Sequence, residues 1–287
     1  MSLDQAGAAG LAAAYAYCET QARAGARDRW LGALFAPPPR RRHLHALIAF
    51  ELEMARLRPS VRDPRAGEIR LAWWREALTG ERGGEALANP VAAAMLDTLA
   101  QACPPPHLII NAIAGRQFDF YDDPFPAVVD LEAYLGETRS GLIQIAALAL
   151  SEGRDLGAAQ ASGLAGVALG LIDWLTSLSG PRPPLLAPSD LLGARHAAPQ
   201  DFRERRMTPE LAAVLRELMA LAQRRLGEAE RERAGLSPAL APAYAGLATA
   251  PLWLASAERH VAQSFVTPVE VAAWRRQWAL WRWSRRA

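Results

Sequence analysis

Apolar and polar positions along the chain recur with the period of an α-helix rather than a strand, and proline and glycine mark where one helix gives way to the next. The first helix covers about Leu11 to Ala24, and a short second one runs from Asp28 to Phe35, stopped by Pro37, Pro38 and Pro39. A third, RRRHLHALIAFELEMARLR, must end or kink near Pro59, because proline lacks the amide donor and its ring clashes with the preceding turn. The fourth spans about Gly67 to Thr79 and gives way to a loop at Gly80, Gly83 and Gly84. Pro90 opens an apolar helix to Ala102, and Pro104, Pro105 and Pro106 separate it from another over His107 to Tyr121. After DDPFP, Asp130 is placed to N-cap a helix running toward Gly141 and beyond. Gly163 to Ser177 is a small-residue helix suited to close packing, and GPRPPLLAP reads as an extended connector. A long amphipathic helix starts at Thr208 and runs to about Ala234; another covers Pro238 to Ala262, and a last one Pro268 to the end.

Composition agrees with this pattern. Ala, Leu, Arg, Glu and Gln dominate while Ile, Thr, Tyr and Phe are sparse, so summed propensity favours an all-α protein. With 287 residues, 51% hydrophobic and 22% charged, the chain can bury one substantial core, and its short prolyl connections favour a single domain over 1–287. A formal charge of +2 leaves no whole-chain nucleic-acid footprint, although all 32 basic residues are Arg, whose planar fork suits phosphate. Cys18 and Cys103 sit in no metal or redox grouping and read as reduced core residues. The N-terminal stretch lacks a basic region ahead of its apolar part, and the apolar runs Leu142 to Leu150 and Leu164 to Leu175 fall short of the roughly 20 residues a bilayer span needs. These features predict a cytoplasmic protein, with peripheral contact at the inner membrane face as the one membrane role left open.

Chemistry enters through six phrases in order: ALIAFELE, GEIRLAWWREAL, AIAGRQFDFYDDP, DLEAYLGETRSGLIQIAAL, GVALGLIDWLTSL and PRPPLLAPSDLL. Between about Tyr15 and Phe202 this order resembles the squalene/phytoene synthase family, with RLAWWREAL and LEAYLGETRSGL the most specific parts. The resemblance implies an isoprenoid-synthase-type helical bundle around a central apolar cavity. Active members of that family join two prenyl diphosphates head to head, using Mg²⁺ held by two facing aspartate-rich motifs. Carboxylates at i and i+4 share a helix face, and Mg²⁺ takes oxygen ligands from carboxylates and substrate phosphates.

Carried onto this chain, both motifs are missing. Alignment on Ala49 and Phe50 puts Ala55, Arg56 and Pro59 where the first motif's aspartates belong, and Thr176 and Ser177 stand at the usual Arg-Asp pair of the second. Arg56 would repel Mg²⁺ and resembles a phosphate clamp. Glu51 and Glu53 diverge by roughly 200° around a helix, and Asp173 has Ser177 at i+4, so neither makes a paired ligand face. Glu53, Arg56, Asp173 and Ser177 are expected to line the cavity as degenerate motif positions. The one DxxxD spacing in this region, Asp119 to Asp123 with Asp122 between, precedes Pro124 and reads as a solvated turn closing a helix. Trp73 and Trp74 are expected in the cavity wall. His43 and His45 lie on opposite sides of their helix and read as surface or core-edge residues, and His107, His196 and His260 are isolated.

The tail WRRQWALWRWSRRA places Trp274, Trp278 and Trp281 on one helix face, with Arg275, Arg276, Arg282, Arg285 and Arg286 around them. The simpler reading docks this stripe on the bundle with arginine in water. The other lays it in a membrane interface, where Trp is favoured and Arg meets anionic headgroups.

The frame without acidic motifs, together with FELEMARLRPSV before GEIRLAWW, is similar to a divergent branch of the family that includes a phytoene-synthase-like assembly factor of respiratory complex I. The branch implies a non-catalytic protein without cofactor, acting with complex I subunits or assembly intermediates at the membrane surface, with an isoprenoid or other lipid as a further partner. The alternative is an active Mg²⁺-dependent transferase using Asp119, Asp122, Asp123 and a rearranged Glu53, with Arg182 as a further ligand contact. A simple lipid carrier differs from the first reading only in its partners.

Overall fold

A computed structural model describes residues 3–61, 63–121, 123–180 and 186–285, with side chains from residue 7 onward. Among them every regular element is helical: α1 (Leu3–Gly25), α2 (Arg27–Ala33), α3 (Pro38–Ser60), α4 (Pro64–Thr79), α5 (Gly83–Ala88), α6 (Pro90–Ala102), α7 (Pro106–Ala114), α8 (Val128–Leu135), α9 (Gly141–Leu150), α10 (Ala159–Thr176), α11 (Ser189–Ala194), α12 (Pro199–Arg203), α13 (Pro209–Ala234), α14 (Gly246–Arg259) and α15 (Ala273–Ser284). The architecture of the described residues is an all-α helical bundle, the class that the sequence predicts.

Local chemistry explains where many helices start. Asn89 accepts from the amides of Val91 and Ala92, each at 3.0 Å, and Thr208 accepts from Leu211 at 3.2 Å, with proline at the first helical position in both cases. Asp63 caps α4 in the same way. That helix ends at Gly80, whose φ of 92° is the left-handed conformation glycine adopts without strain.

Several boundaries differ from the sequence reading. The Gly80–Gly84 segment holds a helix start, because α5 begins at Gly83. Asp130 is not an N-cap: Ala127 occupies that position and Asp130, three residues on, accepts from the Ala127 amide at 2.9 Å. The helix predicted over His107 to Tyr121 tightens into a 3₁₀ turn at Gly115–Phe120. The segment Pro238 to Ala262 divides into a 3₁₀ turn (Pro238–Tyr244), α14 and a short turn, and α15 starts five residues after Pro268. Pro59 sits in the last turn of α3, where its missing amide costs little.

The centre of the bundle is α3, which is buried continuously from His43 to Phe50, and α9, buried at nearly every position. α10 lies along α13, and α1 lies along α3 and α6. Between α8 and α9 the helix widens into a π turn over Gly136–Ser140. This turn presses on α10 where Gly166 has no side chain: a Cβ there would lie 2.6 Å from both Cα and N of Ser140. The close packing expected of the small-residue helix is therefore real, and it is directed at the π turn.

Candidate functional site

The π turn directs the Arg139 side chain inward, and turns of this kind occur frequently at functional sites. Arg139, in the turn, bonds Asp173 of α10 and approaches Glu51 of α3 at 3.9 Å. Glu51 also forms an ion pair with Arg29 of α2. One turn before Arg139, the Tyr134 hydroxyl donates to Asp119, and Arg116 reaches Asp119 at 3.5 Å and the Tyr134 oxygen at 3.4 Å. Six elements thus bring together Arg29, Glu51, Arg116, Asp119, Tyr134, Arg139 and Asp173. Glu51 is 13% exposed, Asp119 11% and Arg139 14%, so most of this network is withdrawn from water.

Electrostatics within the network is compensated. Burial pushes the Glu51 carboxyl up, but Arg29 and Arg139 outweigh it and hold the carboxyl below the ordinary glutamate range. Burial and the neighbouring Asp119 push the Tyr134 phenol up against the opposing charge of Arg116, so it remains a donor. The Nε atoms of Arg116 and Arg139 are buried without a partner.

Beside Glu51, Arg29 and Arg139 lies a narrow cavity with about 60 Å³ of room, enough for a few water molecules. Its wall is apolar, with Leu44, Leu47, Ile48, Leu142, Ile143 and Leu169 prominent. The expected central apolar cavity is present, but the residues expected to line it lie elsewhere. Arg56 is exposed and bonds Glu53 at 2.9 Å and Gln21 at 3.1 Å on the outer side of α3. Asp173 is 60% exposed and meets the cavity only through Arg139. Ser177 is exposed and donates to the Trp174 carbonyl at 2.9 Å, while Thr176 donates to the Asp173 carbonyl at 3.2 Å. Trp74 is buried against Phe50, and Trp73 donates to Glu85 at 3.1 Å; neither lines the cavity.

The DxxxD spacing also resolves differently from the solvated turn it suggested. Asp119 points inward to Arg116 and Tyr134, whereas Asp123 is exposed, and Asp122 and Arg182 lie outside the described residues. Among the described residues, no group of three or more His, Cys, Asp or Glu side chains converges as a metal site. The donors do not suit Mg²⁺. The carboxylates nearest the cavity each face guanidinium groups, and a divalent cation at Glu51 would lie against Arg29 and Arg139.

A second buried polar cluster decides between the surface and core-edge readings of these histidines: His43 and His45 are 4% and 2% exposed, because α3 is enclosed on all sides from His43 to Phe50. The His43 Nδ1 lies 2.9 Å from the Tyr15 hydroxyl and 3.0 Å from Thr98, and Tyr15 donates to Asp97 at 2.6 Å. Burial, reinforced by the charge of Arg42, lowers the His43 pKa to about 4. The unfolded chain therefore takes up a proton near pH 6.5 that the fold refuses, so stability is lost as pH drops from that value toward 4. Moving from pH 7 to pH 4.5 is expected to remove about 2 kcal/mol through this group, allowing for screening near Asp97 and Arg42. Urea denaturation checks it: H43Q should show a pH loss smaller by that amount, and equal losses would refute the assignment.

On α15, the tryptophans are placed opposite to the simpler reading. Trp274, Trp278 and Trp281 are 69%, 54% and 47% exposed, while Leu280 and Trp283 are buried. Arg276 fixes the docked side by donating to Asp28 at 2.6 Å and lying over the Trp253 ring at 5.3 Å. Arg275, Arg282 and Arg285 are exposed; Arg286 lies outside the described residues. Among the described residues, no helix is long and apolar enough to cross a membrane.

Sequence reading missed Arg29, Arg116, Tyr134 and Arg139, and set Glu51 aside. Arg116, Tyr134 and Arg139 all lie inside the quoted phrases AIAGRQFDFYDDP and LEAYLGETRSGL, which was the available signal. Arg29 lies in no phrase, and only its distance to Glu51 reveals it.

Comparison with known proteins is consistent with this geometry. The chain is 23% identical over 245 residues to NADH dehydrogenase (ubiquinone) complex I, assembly factor 6 of Rattus norvegicus, covering 85% of this chain and 73% of the relative. Among solved structures, a dehydrosqualene synthase in complex with ligand superimposes with a TM-score of 0.76 at 16% identity, covering 96% of both chains. Squalene synthase HpnC from Alicyclobacillus acidocaldarius superimposes with a TM-score of 0.66 at 20% identity, over 88% of this chain and 93% of that one. The model of the squalene/phytoene synthase family matches residues 22–282, so by sequence and by fold the chain belongs to that family.

Proposed function

We propose that this chain is a non-catalytic member of the family that acts in the assembly of respiratory NADH dehydrogenase at the membrane surface. The observation that carries the reading is the state of the carboxylates: Glu51 and Asp119 are neutralised internally by arginine and tyrosine, and the helix positions for the first acidic motif hold Ala55, Arg56 and Pro59. Head-to-head condensation needs two diphosphates bridged by Mg²⁺, and a narrow cavity bordered by a charge-compensated network offers no paired ligand face for it. Similarity to a complex I assembly factor over 85% of the chain supports the choice of assembly as the role. An inherited fold with its chemistry removed still offers surfaces for partners.

Two measurements test it together. Purified protein with Mg²⁺ and farnesyl or geranylgeranyl diphosphate should yield no condensed product above a blank. Deletion in the native host should lower the amount of assembled NADH dehydrogenase on native gels, with recovery on re-expression. Mg²⁺-dependent condensation, or unchanged assembly after deletion, would overturn the proposal.

A further inference from the structure

We infer that the exposed face of α15 is a docking surface for a bilayer bearing anionic lipid. The helix is two-faced. At about 100° per residue, Trp274, Trp278 and Trp281 fall within a stripe roughly 60° wide, and Arg276, Leu280 and Trp283 project from the other side into the bundle. An amphipathic helix normally hides its aromatic stripe, but here the docked face is already filled and the tryptophans are left in water. The Trp278 and Trp281 rings stack at 4.8 Å between centroids, and the Arg285 guanidinium lies over Trp281 at 5.5 Å, so the surface is ordered before any contact is made.

Charge selects the partner. Arg275 and Arg282 flank one edge of the stripe and Arg285 caps its end, and residues 271–287 contain no Asp or Glu. A protein partner would need its own acidic, aromatic-accepting groove. A bilayer with anionic headgroups supplies both requirements at once, an interface that accepts the amphipathic indole ring and a negative surface for arginine. The Asp28–Arg276 ion pair and the Arg233 guanidinium over the Trp283 ring, at 5.0 Å, anchor the helix from behind, so it would lie flat on the surface with the bundle above it. Spanning is not involved, since none of the described helices has the length and apolarity for it. This inference deepens the membrane-surface part of the proposed function and rests on that reading only for which membrane is used.

The test uses the full chain with vesicles of phosphatidylcholine alone or mixed with phosphatidylglycerol, followed by flotation and by quenching of tryptophan emission with brominated lipid. The protein should float with the anionic vesicles, lose binding as salt is raised, and show quenching. R275Q/R282Q should bind about fivefold more weakly for each arginine removed. W274A/W278A/W281A should lose both flotation and quenching; all three side chains are exposed, and an unchanged circular dichroism melt would show the fold intact. Failure of the parent chain to float with anionic vesicles would overturn the inference. So would light scattering that revealed a dimer dissolved by the tryptophan substitutions, because the stripe would then meet a second copy. Vesicle binding by purified protein is read independently of NADH dehydrogenase assembly, so the two proposals fail separately.

Discussion

Replacing Glu51 with glutamine will lower the free energy of unfolding by about 3 kcal/mol, the lower end of the cost of leaving buried charge uncompensated. Among the described residues Glu51 is the carboxylate that faces both Arg29 and Arg139, and neutralising it takes away the ion-pair partner of Arg29 and leaves Arg139 with Asp173, which is itself 60% exposed. Arg29, at 28% exposed, recovers part of its hydration, which holds the loss to that end of the range. The uncompensated charge should dominate over the lost contact. Adding Arg29→Met to the E51Q background is therefore expected to restore part of the stability, as apolar replacement of buried ion pairs often does. The pH dependence has a definite sign. Because the folded carboxyl titrates below its unfolded value, its contribution is complete above the ordinary glutamate range and is lost as pH falls through the folded value. Urea denaturation of the parent and E51Q should then converge in acid; a constant difference across pH would show that the pairing is not the cause.

Gly166→Ala is expected to cost about 3 kcal/mol, at the upper end for overpacking, because the added methyl meets the backbone of Ser140 as well as its hydroxyl, and the backbone cannot rotate away. Its Cβ would lie 2.6 Å from Cα and N of Ser140, inside the π turn that places Arg139. The same helix provides its own control: a Cβ at Gly163 meets nothing within 4 Å, so Gly163→Ala should be neutral or stabilise by up to about 1 kcal/mol through helix propensity. Thermal unfolding of the two variants side by side checks this. Equal destabilisation would mean that helix propensity, and not the contact with the π turn, governs α10.

Elements whose signals are local were legible in the chain. Pro90–Ala102 and Pro209–Ala234 match the reading from proline, cap and amphipathic period. The small-residue helix and the extended run through Gly141 were legible for the same reason, although the π turn within that run was not. Period alone cannot show where a helix tightens or widens by one residue, and the turn over Gly136–Ser140 exists because α10 leaves space for it at Gly166. The candidate site was legible in part. Loss of both acidic motifs followed from residue identity at Ala55, Arg56, Pro59, Thr176 and Ser177. The charged network did not, since the spacing of Glu51 to Glu53 carries no sign of its partners, Arg29 and Arg139, which come from other elements of the bundle.

By itself, then, the sequence determined the helical class, most helix starts, the family frame and the absence of the paired carboxylates, because each is a matter of residue type at short range. Tertiary structure alone decided which face of α15 is covered, which carboxylate meets arginine, and that His43 and His45 are both buried. Helical spacing says which side chains share a face but not which face a neighbour will fill, and the contact that settles α15, Arg276 with Asp28, joins residues 248 positions apart.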